Sequence, residues 1–99
     1  MKTFFDGIFI DSNNLQNEVE YPIKLEYYKT MKTEENVKAK YGIEVVVTEF
    51  LNGKVNIESK AIDDIAITSK EIDRILTILK NNEVTPIGIQ DAIEEIVIL

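Results

Sequence analysis

Cysteine, histidine and tryptophan are all missing from this 99-residue chain. The missing cysteine removes disulfides, thiolate nucleophiles and sulfur metal ligands, and agrees with a reducing compartment. The missing histidine removes the usual general base at neutral pH and the commonest zinc ligand. No run of about 18 apolar residues occurs, so no transmembrane helix is expected. The start, Met-Lys-Thr-Phe-Phe-Asp-Gly, opens like a signal peptide. Asp6 interrupts it and no small-residue cleavage site follows, so a cytoplasmic protein is expected. There is no GxSxG, P-loop or GxGxxG run.

Positive charge is scarce. The net charge is −7, which argues against direct nucleic-acid binding, since that normally needs a basic footprint. The last basic residue is Lys80, and residues 61–99 hold eight acids against three bases. A solvated acidic face is the ordinary meaning of such a bias, and a basic partner the specific one. With 44% hydrophobic and 29% charged residues, the length supports one soluble domain with one modest core.

The clearest local signals lie near the C-terminus. Thr68-Ser69-Lys70-Glu71 fits a capping box, with Ile67 and Ile72 placed as a hydrophobic staple. Ile72, Ile75, Leu76 and Leu79 then repeat with helical spacing, and Asn81-Asn82 supplies a left-handed stop. Thr85-Pro86 opens a second helix, proline at its first position costing no hydrogen bond. Its apolar stripe is Ile89, Ala92, Ile93, Ile96 and Val97, against a polar stripe of Asp91, Glu94 and Glu95. The connection is so short that the two helices must form an antiparallel αα-hairpin.

Upstream, strands dominate. Residues 4–10 read as a short strand with a bulge at Gly7, and residues 11–20 as a polar loop. Asp11-x-Asn13 resembles the start of a calcium loop, but Leu15 takes the next ligand position, which excludes an EF-hand. In residues 23–30, Ile23, Leu25 and Tyr27 alternate with Lys24, Glu26 and Tyr28. Residues 31–40 are charged and aperiodic and read as a mobile hairpin loop. Residues 42–51 and 54–62 form a hairpin at Asn52-Gly53. A two-residue turn would set Phe50 opposite Val55 and Val46 opposite Ser59. A bulged three-residue turn would instead gather Ile43, Val45, Val47, Val55, Ile57 and Ala61 on one face, with Glu44 facing Lys60. The bulged turn is therefore expected, because a one-residue slip flips every side chain. Val46, Phe50 and Tyr28 would then lie on the outer face, beneath the N-terminal segment. Asp63-Asp64 ends the strand. The fold class is α+β: a small antiparallel sheet of three to four strands followed by a C-terminal αα-hairpin packed on one face. Residues 1–20 form an N-terminal segment and residues 21–99 the domain.

Three stretches carry a resemblance: Tyr41-Gly42-Ile43-Glu44-Val45, the helix at 72–82, and Asn82-Glu83-Val84-Thr85-Pro86 leading to Asp91-Ala92-Ile93-Glu94-Glu95. Together they resemble a family of small uncharacterised proteins of clostridia and related Firmicutes. The similarity spans residues 21–97, leaves residues 1–20 as a specific addition, and implies no activity.

Only carboxylates remain for catalysis. Asp63 and Asp64 are adjacent, so on a strand they point to opposite faces and cannot share a proton. They suit the turn before the following helix, whose N-terminus favours negative charge. Asp91, Glu94 and Glu95 have the i, i+3 and i, i+4 spacing that could hold magnesium, though a solvated helix face explains them as well. Tyr27, Tyr28, Lys29 and Lys32 could stack and hold a nucleic-acid strand, but neighbouring aromatics on a strand usually fill core and rim.

The expectation is a non-enzymatic protein-interaction or regulatory module without metal or cofactor, whose partner is another protein or a second copy of this chain. The contact residues are Asp91, Glu94, Glu95, Ile96, Ile98 and Leu99, because residues 96–99 are apolar around more than one face. An acidic inhibitor of a basic, nucleic-acid-binding surface, of the anti-defence or nucleic-acid-mimic kind, is the alternative. Neither membrane nor direct nucleic-acid binding is expected.

Overall fold

The computed structural model describes residues 1–10, 22–32 and 40–98, the last without its side chain. Four strands, β1 (Lys2–Ile10), β2 (Ile23–Met31), β3 (Tyr41–Leu51) and β4 (Lys54–Ala66), form one antiparallel sheet in sequential order. Helix α1 (Ser69–Asn81), a 3₁₀ turn (Pro86–Gly88) and helix α2 (Ile89–Ile98) follow. The α+β class and the order of strands and helices agree with the sequence pattern.

Alternation in β2 and β3 sets the core. Leu25, Tyr27, Ile43 and Val45 are fully buried on one face, opposite Ile72, Ile75, Leu76 and Leu79 of α1 and Ile89 and Ile93 of α2. Fully burying an aliphatic side chain contributes about 1.5–3 kcal/mol, so this single layer carries most of the stability. Strand β1 joins the sheet beside β2 and brings Ile10 into the core, instead of lying across the outer face. Its bulge falls between Phe4 and Asp6, not at Gly7. Asp6 there accepts the Gly7 N–H at 2.8 Å and pairs with Lys80 at 3.3 Å. Those two contacts, the backbone one first, hold its carboxyl below the usual range.

The β3–β4 hairpin departs from expectation. Leu51 pairs with Lys54, Phe50 with Val55 and Val46 with Ser59, so the turn holds only Asn52 and Gly53, at φ 46° and 80°. Two positive φ values are what a type I′ turn requires, and Asn-Gly is its preferred sequence. Turn chemistry therefore overrode the gathering of apolar residues. Glu44 faces Ala61 rather than Lys60, and Val55 and Ile57 point away from the helices. Strand β4 also runs past Asp63-Asp64 to Ala66 through an irregularity opposite Gly42, with Asp64 at φ 59°. Gly42 is obligatory here. A Cβ would strike the Ile62 carbonyl oxygen and lie 2.7 Å from Thr30 Oγ1 and 2.9 Å from Asp63 Cα.

Helix α1 starts as its sequence says, with Thr68 Oγ1 accepting the Glu71 N–H at 3.1 Å. Glu71 does not complete the box; its carboxylate pairs with Arg74 instead. Ile72 enters the core while Ile67 stays 64% exposed, so the staple contributes little. The left-handed stop sits at Glu83 (φ 51°), one residue beyond Asn82. Glu83 N–H donates to Lys80 O and Val84 N–H to Leu79 O, both at 3.0 Å, the two bonds of a Schellman motif. At Thr85 the side chain makes no capping bond, and the second helix begins as the 3₁₀ turn. The loop expected at 11–20 and residues 33–39 of the loop expected at 31–40 lie outside the described residues; Met31 ends β2, and Lys32 N–H donates to Lys40 O at 2.8 Å.

Candidate interaction surfaces

Three of the six expected contact residues lie on the exposed side of α2. Asp91, Glu94 and Glu95 are exposed, whereas Ile96 is half-buried and packs against the core. The side chain of Ile98 and the whole of Leu99 lie outside the described residues. Glu95 and Ile96 meet Ile78, Asn82, Val84 and Ala92 around a hollow of about 260 Å³ between the helices. Gln90 donates to Glu94 at 3.2 Å across one turn. Among the described residues no three acidic side chains converge as a metal cluster. No described helix is long and apolar enough to cross a membrane.

A different surface emerges from the hairpin register. The side of the sheet away from the helices carries Phe4 (56% exposed), Phe9 (60%), Val55 (59%) and Ile57 (63%), with Phe50 and Tyr28 among them. Each arrives there by strand parity. Phe4 faces Tyr28, Tyr28 faces Glu44, Phe50 faces Val55 and Thr48 faces Ile57 across successive pairs. Among the described residues no helix packs on this side. Phe4 and Tyr28 meet edge to face at 5.6 Å, and Phe9 lies 6.3 Å from Phe50. Between Phe4 and Phe9, Gly7 leaves a shallow depression of about 280 Å³, bounded also by Lys24 and Glu26.

The charges on this face are balanced internally. Lys2 lies 4.7 Å above the Tyr28 ring and 3.4 Å from Glu44, and Lys24 lies 3.8 Å from Glu26. The Tyr28 phenol donates to Glu26 at 3.0 Å and is shifted upward by desolvation first, then by that bond and by Glu26 and Glu44. A stacking platform for nucleic acid needs a surplus of cations along its groove, and this face has none. Of the four residues considered for stacking, Tyr27 and Lys29 are on the opposite side. Tyr27 is buried, and Lys29 pairs with Asp73 at 2.9 Å and donates to Ser69 at 3.0 Å. Lys32 bridges to Asp64 at 3.0 Å and to Asp63 at 3.8 Å, so those two acids, which lie within β4 and do not end it, tie the strand to the residue after β2.

Sequence reasoning missed the open face because it assigned Val55 and Ile57 to the core. One available signal pointed the right way. Asn-Gly favours a two-residue turn strongly enough to fix register, and that register leaves both side chains outward.

Comparison with known proteins adds the family. The description "Family of unknown function (DUF6514)" matches residues 7–99, a span that begins within β1 and runs through both helices. No curated protein matches the chain, and no solved structure matches it.

Proposed function

The chain belongs to this family of unknown function, and we propose that it is a non-enzymatic protein-interaction module whose contact is the open face of its sheet. The observation that carries this reading is the row of exposed apolar side chains from Phe4 and Phe9 through Phe50 to Val55 and Ile57. Contiguous apolar surface of this kind on a small domain marks a docking site, and aromatic residues dominate such contacts. The occupant is an apolar protein surface. Lys2, Lys24, Glu26 and Glu44 neutralise one another at the rim, leaving no net charge for a polyanion or a polycation to recognise. The exposed acids of α2 belong to the other side of the molecule and support the alternative reading, a basic partner held by charge.

The test separates the two. Affinity capture should be run with the parent chain, a Phe9→Ser/Ile57→Ser variant and an Asp91→Lys/Glu94→Lys/Glu95→Lys variant, each washed at low and high salt. The expected result is a partner that survives high salt, is lost with the sheet-face variant and stays with the helix variant. Apolar contacts of this kind are insensitive to screening, whereas exposed ion pairs are not. A partner lost at high salt and with the helix variant, but kept by the sheet-face variant, would overturn the reading and favour the acidic inhibitor. Because Phe9 and Ile57 are exposed, the substitutions should shift unfolding free energy by only about 0.5 kcal/mol.

A further inference from the structure

The edge of the sheet at β4 is open, long and regular. Residues 54–61 are all exposed, and β4 pairs only with β3 among the described residues. A two-residue hairpin closes on a hydrogen-bonded pair, here Leu51 and Lys54. Alternate residues beyond it, Val55, Ile57, Ser59 and Ala61, therefore turn their N–H and C=O groups away from β3. Such an edge templates further pairing unless charge, proline or a bulge blocks it. Residues 54–62 contain no proline, and the irregularity begins only beyond Ile62. Charge remains as the possible block.

We infer that two copies of this chain pair antiparallel through β4, about a two-fold axis at Ser59, into one continuous eight-stranded sheet. The register follows from charge. For both copies to keep the same face outward, the axis must pass through a residue. On Ile57 it sets Lys54 opposite Lys60 twice; on Glu58 or Lys60 it sets that residue opposite itself. Like charges directly opposite destabilise a strand pair. On Asn56 it opposes Lys54 and Glu58, but the overlap covers only residues 54–58 before it enters the Asn52-Gly53 turn. On Ser59 it opposes Glu58 and Lys60 twice and Ile57 and Ala61 twice. That overlap runs over residues 56–62 and stops where the irregularity begins. Here the edge charges select a register instead of preventing one.

A second feature sits beside the same seam. On the helix side, Glu58, Ser59, Lys60, Pro86 and Ile87 surround a shallow hollow of about 370 Å³. Ile87 is 85% exposed, more than any other large apolar residue described. A neighbouring strand laid along β4 would cover it. The pairing would also set the two open sheet faces side by side, with Val55 and Ile57 of both copies near the middle. It rests on the strand edge and its charges, so it stands whether or not a partner occupies the sheet face.

The test is sedimentation equilibrium on the parent chain, Glu58→Lys, Lys60→Glu, the double swap and a one-to-one mixture of the single variants. Each single variant places like charges opposite in its own pair and should self-associate about tenfold more weakly than the parent. The double swap restores opposite charges and should dimerise as the parent does. In the mixture, an edge carrying lysine at both positions meets an edge carrying glutamate at both, so the heterodimer should form preferentially. A parent chain that stays monomeric at its highest soluble concentration would overturn the inference. So would a dimer that neither single variant weakens, or single variants that fail to recover on mixing. Circular dichroism melts of each variant separate loss of pairing from loss of fold, since both side chains are exposed.

Discussion

Tyr27 ties the two layers together. Its ring is buried, and its hydroxyl donates to the Val84 carbonyl at 2.8 Å, joining the middle of β2 to the turn between the helices. Removing that hydroxyl leaves a carbonyl short of a partner, so Tyr27→Phe should cost about 1–2 kcal/mol in urea unfolding. Burial, and secondarily the charge of Glu83, raises the phenol well above its ordinary value of 10.0. The folded state then holds that proton more tightly than the unfolded chain. The resulting stability is present below the unfolded value and is lost as pH rises through and beyond it. Melts above pH 10.0 should therefore fall more steeply for the parent than for Tyr27→Phe. Glu83 itself stands at φ 51° in the slot where glycine is at ease. Glu83→Gly should stabilise by about 1 kcal/mol if both Schellman bonds persist, read from the same urea curves.

Among the elements, the β3–β4 hairpin teaches most. Its two glycines are constrained for different reasons, and substitution should separate them. A Cβ at Gly53 meets nothing within 4 Å, so Gly53→Ala should cost only the conformational strain of φ 80°, about 1 kcal/mol. A Cβ at Gly42 meets backbone of β4 and the Thr30 hydroxyl, so Gly42→Ala should cost about 2–3 kcal/mol by overpacking. Thermal melts of the two variants give that order directly. The hairpin is also where pattern reasoning failed. It assumed that the apolar positions of β4 face the helices, yet Asn56, Glu58 and Lys60 occupy that side and are exposed. The helices cover Leu25, Tyr27 and Val45, whereas beside Glu58 and Lys60 only the turn at Pro86 and Ile87 comes near and leaves both exposed, so the alternation of this edge strand need not obey the core. Helix α1 shows the opposite case. Its cap and its stripe at Ile72, Ile75, Leu76 and Leu79 were legible because both are local, and burial followed the stripe.

For the whole molecule, the two sides of the sheet differ in kind. One is closed by the helical layer, whose outside is acidic around Asp91, Glu94 and Glu95. The other exposes aromatic and aliphatic side chains over balanced charges. This arrangement predicts a concrete solution behaviour. A dye that fluoresces on apolar surfaces should bind the folded chain, and Phe9→Ser/Ile57→Ser should abolish most of that signal while leaving the circular dichroism unchanged. The acid-only stretch after Lys80 marked one of these sides in the sequence. The other side was not legible as a surface, because a strand's alternation names two faces without saying which is covered.

The sequence by itself determined the α+β class, the order of strands and helices, the core stripes of β2 and α1, and the absence of cysteine and histidine chemistry. Each depends on residue identity or on spacing within a few positions. Tertiary structure alone decided the rest. It placed the left-handed residue at Glu83, set the bulge beside Phe5, joined β1 to the sheet edge and left the side that carries Val55 and Ile57 without a helix among the described residues. Those outcomes depend on contacts between residues far apart in the chain, such as Tyr27 with Val84 and Asp6 with Lys80.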